Sequence, residues 1–287
     1  MVLPEAAMVL LKVNEGNLTG MAQLLGGIAG NAMMDILDCD NRGNITLTND
    51  GQNVICNAGG IAGGFASTLI HQEVYHFENC RNSGNLKVLD GENPADIKLG
   101  GIIGTAEVMR ENTLSSIKNC MNTGELFGYG KMGGIIGDLD YNITVYQDNG
   151  EKIEYGEISV EDSWNSGKIT AVGNDSSIGN IVGEARVNNA KVTLKNCIGL
   201  GKVQKDPELM FFMFMGTIVG RISSEEENGE TQILLENCQY KGKQLESMET
   251  VGMFDENELN VKNYVYEPNK PPGGDPVGPP LTGGRWK

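Results

Sequence analysis

Apolar positions in this sequence fall in short runs that break off at glycine or asparagine, and two such runs return in alternation along most of the chain. The first closes on Gly30, Gly63, Gly104, Gly137, Gly183 and Gly220, and reads Gly-Gly-Ile-Ala-Gly, Gly-Gly-Ile-Ile-Gly, Gly-Asn-Ile-Val-Gly or Gly-Thr-Ile-Val-Gly. The second centres on Cys39, Cys80, Cys120, Ser163, Cys197 and Cys238, each followed four residues later by glycine, at Gly43, Gly84, Gly124, Gly167, Gly201 and Gly242. Asn41, Asn82, Asn122 and Asn165 stand midway, and Ile45, Leu86, Leu126, Ile169 and Val203 follow the glycine by two. The distance between copies varies over roughly 33 to 46 residues while spacing within each word is kept, as expected of stacked units that cannot bury an apolar face alone.

Each unit is expected to hold three short strands: the Gly-Gly-Ile-x-Gly word, the run into the cysteine, and the run after the Asn-x-Gly turn. Asn and Gly tolerate left-handed backbone angles, which suits them to sharp corners. The fold class is therefore all-β, a parallel β-helix or β-solenoid of about six rungs, with a body of about 30 Å at the usual strand spacing. The connections from the first word to the second differ most between copies. Residues Tyr141 to Asp148 and Glu151 to Val160 flank Asn149-Gly150, a strong hairpin signal, and Asn228-Gly229 lies likewise within the 221–237 insert. These hairpins are expected to project from one edge like a comb. The solenoid is assigned to 1–263 and a proline- and glycine-rich linker to 264–287. Asn14 to Leu18 reads as the tail of an earlier copy, so the chain is expected to begin mid-repeat, as part of a longer multidomain protein.

Composition narrows this further. Glycine, at 40 of 287 residues, is about twice its usual share, without a collagen period. A net charge of −16 disfavours nucleic acid, and no run approaches the ~20 apolar residues of a membrane span. Gly199 and Tyr240 replace the turn asparagine in the last two copies, which are expected to be distorted.

Candidate chemistry is sparse. The cysteine position, which tolerates Ser163, reads as an inward packing column of small side chains. Disulfides between neighbouring rungs are sterically open, but Ser163 interrupts the column and Cys56 stands outside it. Spacing does not match a zinc site. His71 and His76 read as exposed insert residues. Asp138, Asp140 and Asn142 alternate on one strand face in a way that would suit calcium. Glu225 to Glu227 reads as a solvated turn, and Trp164 as an outward side chain. Phe211, Phe212 and Phe214, within Met210 to Met215, form a candidate partner patch. No catalytic residue, cofactor site or metal site is assigned.

The words Gly-Gly-Ile-x-Gly and Asn-Cys-x-Asn-x-Gly-x-Ile/Leu resemble the GLUG repeat over about Asn14 to Gly242. That family occurs in bacterial surface and secreted proteins, including adhesin-like proteins and non-catalytic regions of immunoglobulin A peptidases. The resemblance implies an extracellular or cell-surface structural, spacer or adhesion module, not an enzyme. Its unidentified ligand would be a protein or a glycan, and its export signal and anchor would lie outside this sequence. The alternatives are a carbohydrate-active β-helix enzyme, a polysaccharide lyase or hydrolase, or the non-catalytic segment of a secreted peptidase.

Overall fold

The computed structural model describes residues 8–20, 23–32, 34–48, 55–67, 75–89, 96–108, 115–142, 156–173, 175–188, 190–207, 213–223, 232–241 and 251–252. All regular structure there is β, in five sheets of seven, seven, six, six and six strands whose members pair in parallel, in sequence order. The chain is a parallel β-solenoid of about six rungs, each coil visiting five faces in turn.

One coil shows the plan. Cys56–Gly59 lies on the fourth face, Ala62–Ser67 on the fifth, His76–Glu78 on the first, Arg81–Asn82 on the second and Leu86–Leu89 on the third. Five strands, not three, make a unit. The Gly-Gly-Ile-x-Gly word is a corner between two strands, and the Cys word spans another. The asparagine or aspartate before each cysteine takes the left-handed conformation there, with φ of 54° at Asp38, 57° at Asn79, 51° at Asn119 and 54° at Asn196. Short polar side chains suit this backbone best among non-glycine residues.

The turn glycines have a different cause from the expected one. Among the described glycines the left-handed conformation occurs at Gly130. Gly43, Gly84, Gly124, Gly167 and Gly201 instead stack so closely that a Cβ on each would lie 2.0, 2.0, 2.0, 1.9 and 2.0 Å from the carbonyl oxygen of the glycine one coil before. No side chain fits that column. Gly242 lies outside the described residues.

Two apolar cores run along the rod. One joins the fifth and first faces with the corner isoleucines Ile61, Ile102, Ile135, Ile181 and Ile218; the other joins the third and fourth faces. Between them the second glycine of four corners, Gly27, Gly60, Gly101 and Gly134, presses across the interior against the asparagine of the second face. A Cβ on Gly60, Gly101 or Gly134 would lie 2.3, 2.4 or 2.3 Å from the Cγ of Asn82, Asn122 or Asn165. These coils are thus pinched at the waist, and glycine is needed there because a side chain from the opposite face already fills the space.

The hairpin arms need correction where they can be followed. Tyr141 and Asn142 end the fifth-face strand Ile136–Asn142, and Gly156–Glu161 is a first-face strand paired in parallel on both sides. In the other insert, Val219–Ser223 and Gln232–Glu236 are likewise coil strands. These stretches extend the body, since their alternating apolar residues, Ile158 and Val160 or Ile233 and Leu235, are buried in the core. The turns at Asn149-Gly150 and Asn228-Gly229, and residues 264–287, lie outside the described residues. Connection length also varies at a second corner, between the third and fourth faces: Gly128 to Lys131 is short and Leu89 to Ile97 is long.

Candidate functional site

Three arrays of polar side chains run along the rod, each built by parallel register placing equivalent residues one strand spacing apart. The first is the second-face asparagine column. Asn14 Nδ2 donates to Asn41 Oδ1 (2.7 Å), Asn41 to Asn82 (2.7 Å), Asn82 to Asn122 (2.8 Å) and Asn122 to Asn165 (2.8 Å). Each amide nitrogen also donates to its own turn, as Asn122 does to the Gly124 carbonyl at 2.9 Å. Asn41, Asn82, Asn122 and Asn165 are fully buried, so these bonds satisfy amides that would otherwise be costly inside.

In the next coil the asparagine position holds Gly199, and the corner glycine is replaced by Asn180. The column continues: Asn165 Nδ2 donates to Asn180 Oδ1 at 2.9 Å. A Cβ on Gly199 would lie 2.8 Å from that of Asn180. The amide is supplied from the opposite face, and the two residues have exchanged roles. The expected distortion of this copy is therefore absent: Gly199 pairs in register with Asn165 and with Tyr240.

The second array is the cysteine column. Cys39, Cys80, Cys120, Ser163 and Cys197 are buried and Cys238 is partly so; no disulfide joins any of the six cysteines. The thiols donate to backbone carbonyls, Cys80 to Ile36 and Glu78 at 3.4 Å and Cys197 to Val160 at 3.3 Å. Ser163 does the same more tightly, donating to the Glu161 carbonyl at 2.8 Å and accepting the Cys120 amide at 3.1 Å. Contact with the next thiol and burial push Cys39, Cys80 and Cys197 well above the ordinary thiol range. Cys56 sits in the other core, on the fourth face.

The third array was not anticipated. Outward residues of the fourth and fifth faces turn towards each other across the corner and close a charged seam. Lys98 and Lys131 on the fourth face each reach Asp138 Oδ2 at 3.1 Å, and Arg186 on the fifth reaches it at 3.3 Å. Arg186 also meets Asp140 at 3.3 Å, Lys131 meets Glu184 at 3.5 Å, and Ser177 donates to Glu184 at 3.1 Å. The Asp138 side chain is fully buried, and three cations around it offset the cost of burying its charge. Burial lowers the pKa of Lys98, but the charges of Asp138 and Asp96 outweigh it and the net shift is upward. At the mouth of the seam Glu107 and Asp140 are register neighbours. Burial, reinforced by Asp140, raises the pKa of Glu107; burial also raises that of Asp140, against the pull of Arg186.

Other candidate residues fall as follows. Asp138 and Asp140 do share a face, but the Asp138 carboxylate is engaged by cationic side chains, and the described residues hold no cluster of three or more metal-ligating side chains. His76 is not an exposed insert residue: it opens a first-face strand, half-buried, with Nδ1 2.7 Å from Ser116 Oγ. His71, Phe211 and Phe212 lie outside the described residues. Phe214 is half-buried under the Arg221 guanidinium, 5.1 Å from its ring centre, at the end of the seam. Trp164 sits half-buried in the second-face column between Met121 and Ile198. No helix of the described residues is long and apolar enough to cross a membrane. No family model, curated protein or solved structure matches the chain.

Proposed function

We propose that this chain is a structural module, a spacer, scaffold or adhesion segment, of a bacterial cell-surface or secreted protein, without catalysis of its own. The observation that carries the reading is the asparagine column, which runs unbroken from Asn14 to Asn180 and is kept where the sequence exchanges two positions. Side chains that fix each coil against the next serve rigidity along the rod, and they leave the connections free to vary. The resemblance to GLUG repeats supports the exported setting. In that setting 264–287 acts as a linker to further domains, and an as yet unidentified protein or glycan is the ligand. Antibodies against the solenoid body test it: intact cells of the source should bind them, and external protease should remove the signal. Signal confined to the cytosolic fraction contradicts it.

One observation favours a second reading, a polysaccharide-degrading enzyme. Glu107 and Asp140 are register neighbours beside Arg186, and a pair of neighbouring carboxylates is the group type that performs general acid–base work on glycosidic bonds. New reducing or unsaturated sugar ends from a panel of neutral and acidic polysaccharides, lost in Glu107→Gln and Asp140→Asn, would establish this reading. An inert panel leaves the structural one.

A further inference from the structure

The cysteine column is divided. Ser163 separates Cys39, Cys80 and Cys120 from Cys197 and Cys238, and the two groups differ in access to solvent. Cys197 is fully buried, whereas Cys238 is only partly buried. The pairings Lys195↔Glu236 and Ile198↔Gln239 bracket Cys197 and Cys238, which places the two cysteines at equivalent positions on adjacent parallel strands. Adjacent strands lie about 4.8 Å apart, inside the window of about 4.4 to 6.8 Å between Cα atoms that a disulfide needs. Cys120 is two strand spacings from Cys197, about 10 Å, and out of reach.

We propose that Cys197 and Cys238 form a reversible disulfide that staples the last two coils of the described body when a disulfide oxidant is present. The chemistry is thiol–disulfide exchange with a small-molecule disulfide such as oxidised glutathione. The Cys238 thiolate attacks one sulfur of the oxidant, forming a mixed disulfide and releasing one glutathione thiolate. Cys197 then loses its proton and attacks the Cys238 sulfur, closing the intramolecular bond and expelling the second glutathione. Two electrons pass to the oxidant, and the two thiol protons end on the two glutathione thiolates. The order of attack follows from the site. Cys197 is fully buried and Cys238 only partly, so the oxidant reaches the Cys238 sulfur first. Ser163 gives the bond a single partner choice, because no third thiol stands next to the pair.

The test uses the intact folded chain, treated with oxidised glutathione without denaturant and then acid-quenched, unfolded and mapped. The expected result is loss of two of the six thiols, one cross-linked peptide pair joining Cys197 to Cys238, and full recovery on adding dithiothreitol. Cys238→Ser and Cys197→Ser should each abolish the cross-link, and Cys120→Ser should leave it unchanged. Serine already occupies this column at Ser163, so the variants should fold, which circular dichroism checks. Glutathione retained on Cys238 alone, six intact thiols, or a first cross-link within Cys39, Cys80 and Cys120 would each overturn the proposal.

Discussion

Two consecutive coils solve one packing problem in opposite ways. In the first, glycine at 134 on the corner faces asparagine at 165; in the next, asparagine at 180 faces glycine at 199. Both put one carboxamide and one bare backbone at the waist, and both keep the hydrogen-bonded column running. What the fold holds constant is the place of a side chain in space, not its place in the repeat. The waist has room for one side chain between two backbones, and the column uses an amide there because a carboxamide has two donor hydrogens, one for its own turn and one for the next coil, and an oxygen that accepts from the coil before. Asn180 is also where the column stops: its buried Nδ2 has no hydrogen-bond partner among the described residues, in front of a coil that carries Thr217 and Tyr240.

The comparison can be broken most severely at the glycines the two coils share. Gly201→Ala would place a methyl group 2.0 Å from the Gly167 carbonyl oxygen, backbone against backbone. Because neither side can rotate away, a loss of about 4 kcal/mol or more is expected in urea unfolding, or no folded protein at all. Next come the amides. Asn122→Leu in an ordinary coil removes the column bonds to Asn82 Nδ2 and Asn165 Oδ1 and both bonds to the Gly124 backbone, and should cost about 3 to 5 kcal/mol in the same measurement. Asn180→Leu ends the column without interrupting it, removes one of the two bonds of Asn165 Nδ2, which keeps the Gly167 carbonyl, and should cost about half as much.

The smallest effect concerns the seam. Glu107 has a folded pKa raised by burial and by Asp140. Its contribution to stability is therefore full below the unfolded carboxylate pKa and is lost as pH rises through the folded value. Glu107→Gln should remove that part of the decline, and at neutral pH the variant should match or exceed the parent by under about 1 kcal/mol. Thermal unfolding followed between pH 4 and 7 reads this as a flatter profile, and a steeper one would reverse the assignment.

Much of this architecture is legible in the two repeated words, because register in a parallel stack copies the sequence spacing directly. The burial of the cysteine position and the tolerance of Ser163 follow from a column that accepts any small side chain able to reach a backbone carbonyl. The exchange at 180 and 199 was also open to reading: the copy that lacks the turn asparagine is the one whose corner word gains one. It is missed when each word is aligned only with itself, since the two positions touch across the interior, not along the chain. The five-faced outline was hidden because a two-residue strand such as Arg81–Asn82 leaves no alternation to detect. The seam is invisible for a related reason. Lys131 and Asp138 flank one corner word while Lys98 and Arg186 come from the copies before and after it, all at positions that alternate as if solvent-facing, and only the angle at the glycine corner brings them together.

The exchange is tested most directly by a double-mutant cycle on Asn180→Gly and Gly199→Asn, followed by chemical denaturation. The first change alone removes the amide and the second alone forces a Cβ to within 2.8 Å of the one on Asn180, so each should destabilise by about 2 to 3 kcal/mol. Together they rebuild the arrangement of the preceding coils, and the double variant should lie within about 1 kcal/mol of the parent. A double variant as unstable as the sum of its parts would contradict the claim that the amide's position in space is what the coil preserves.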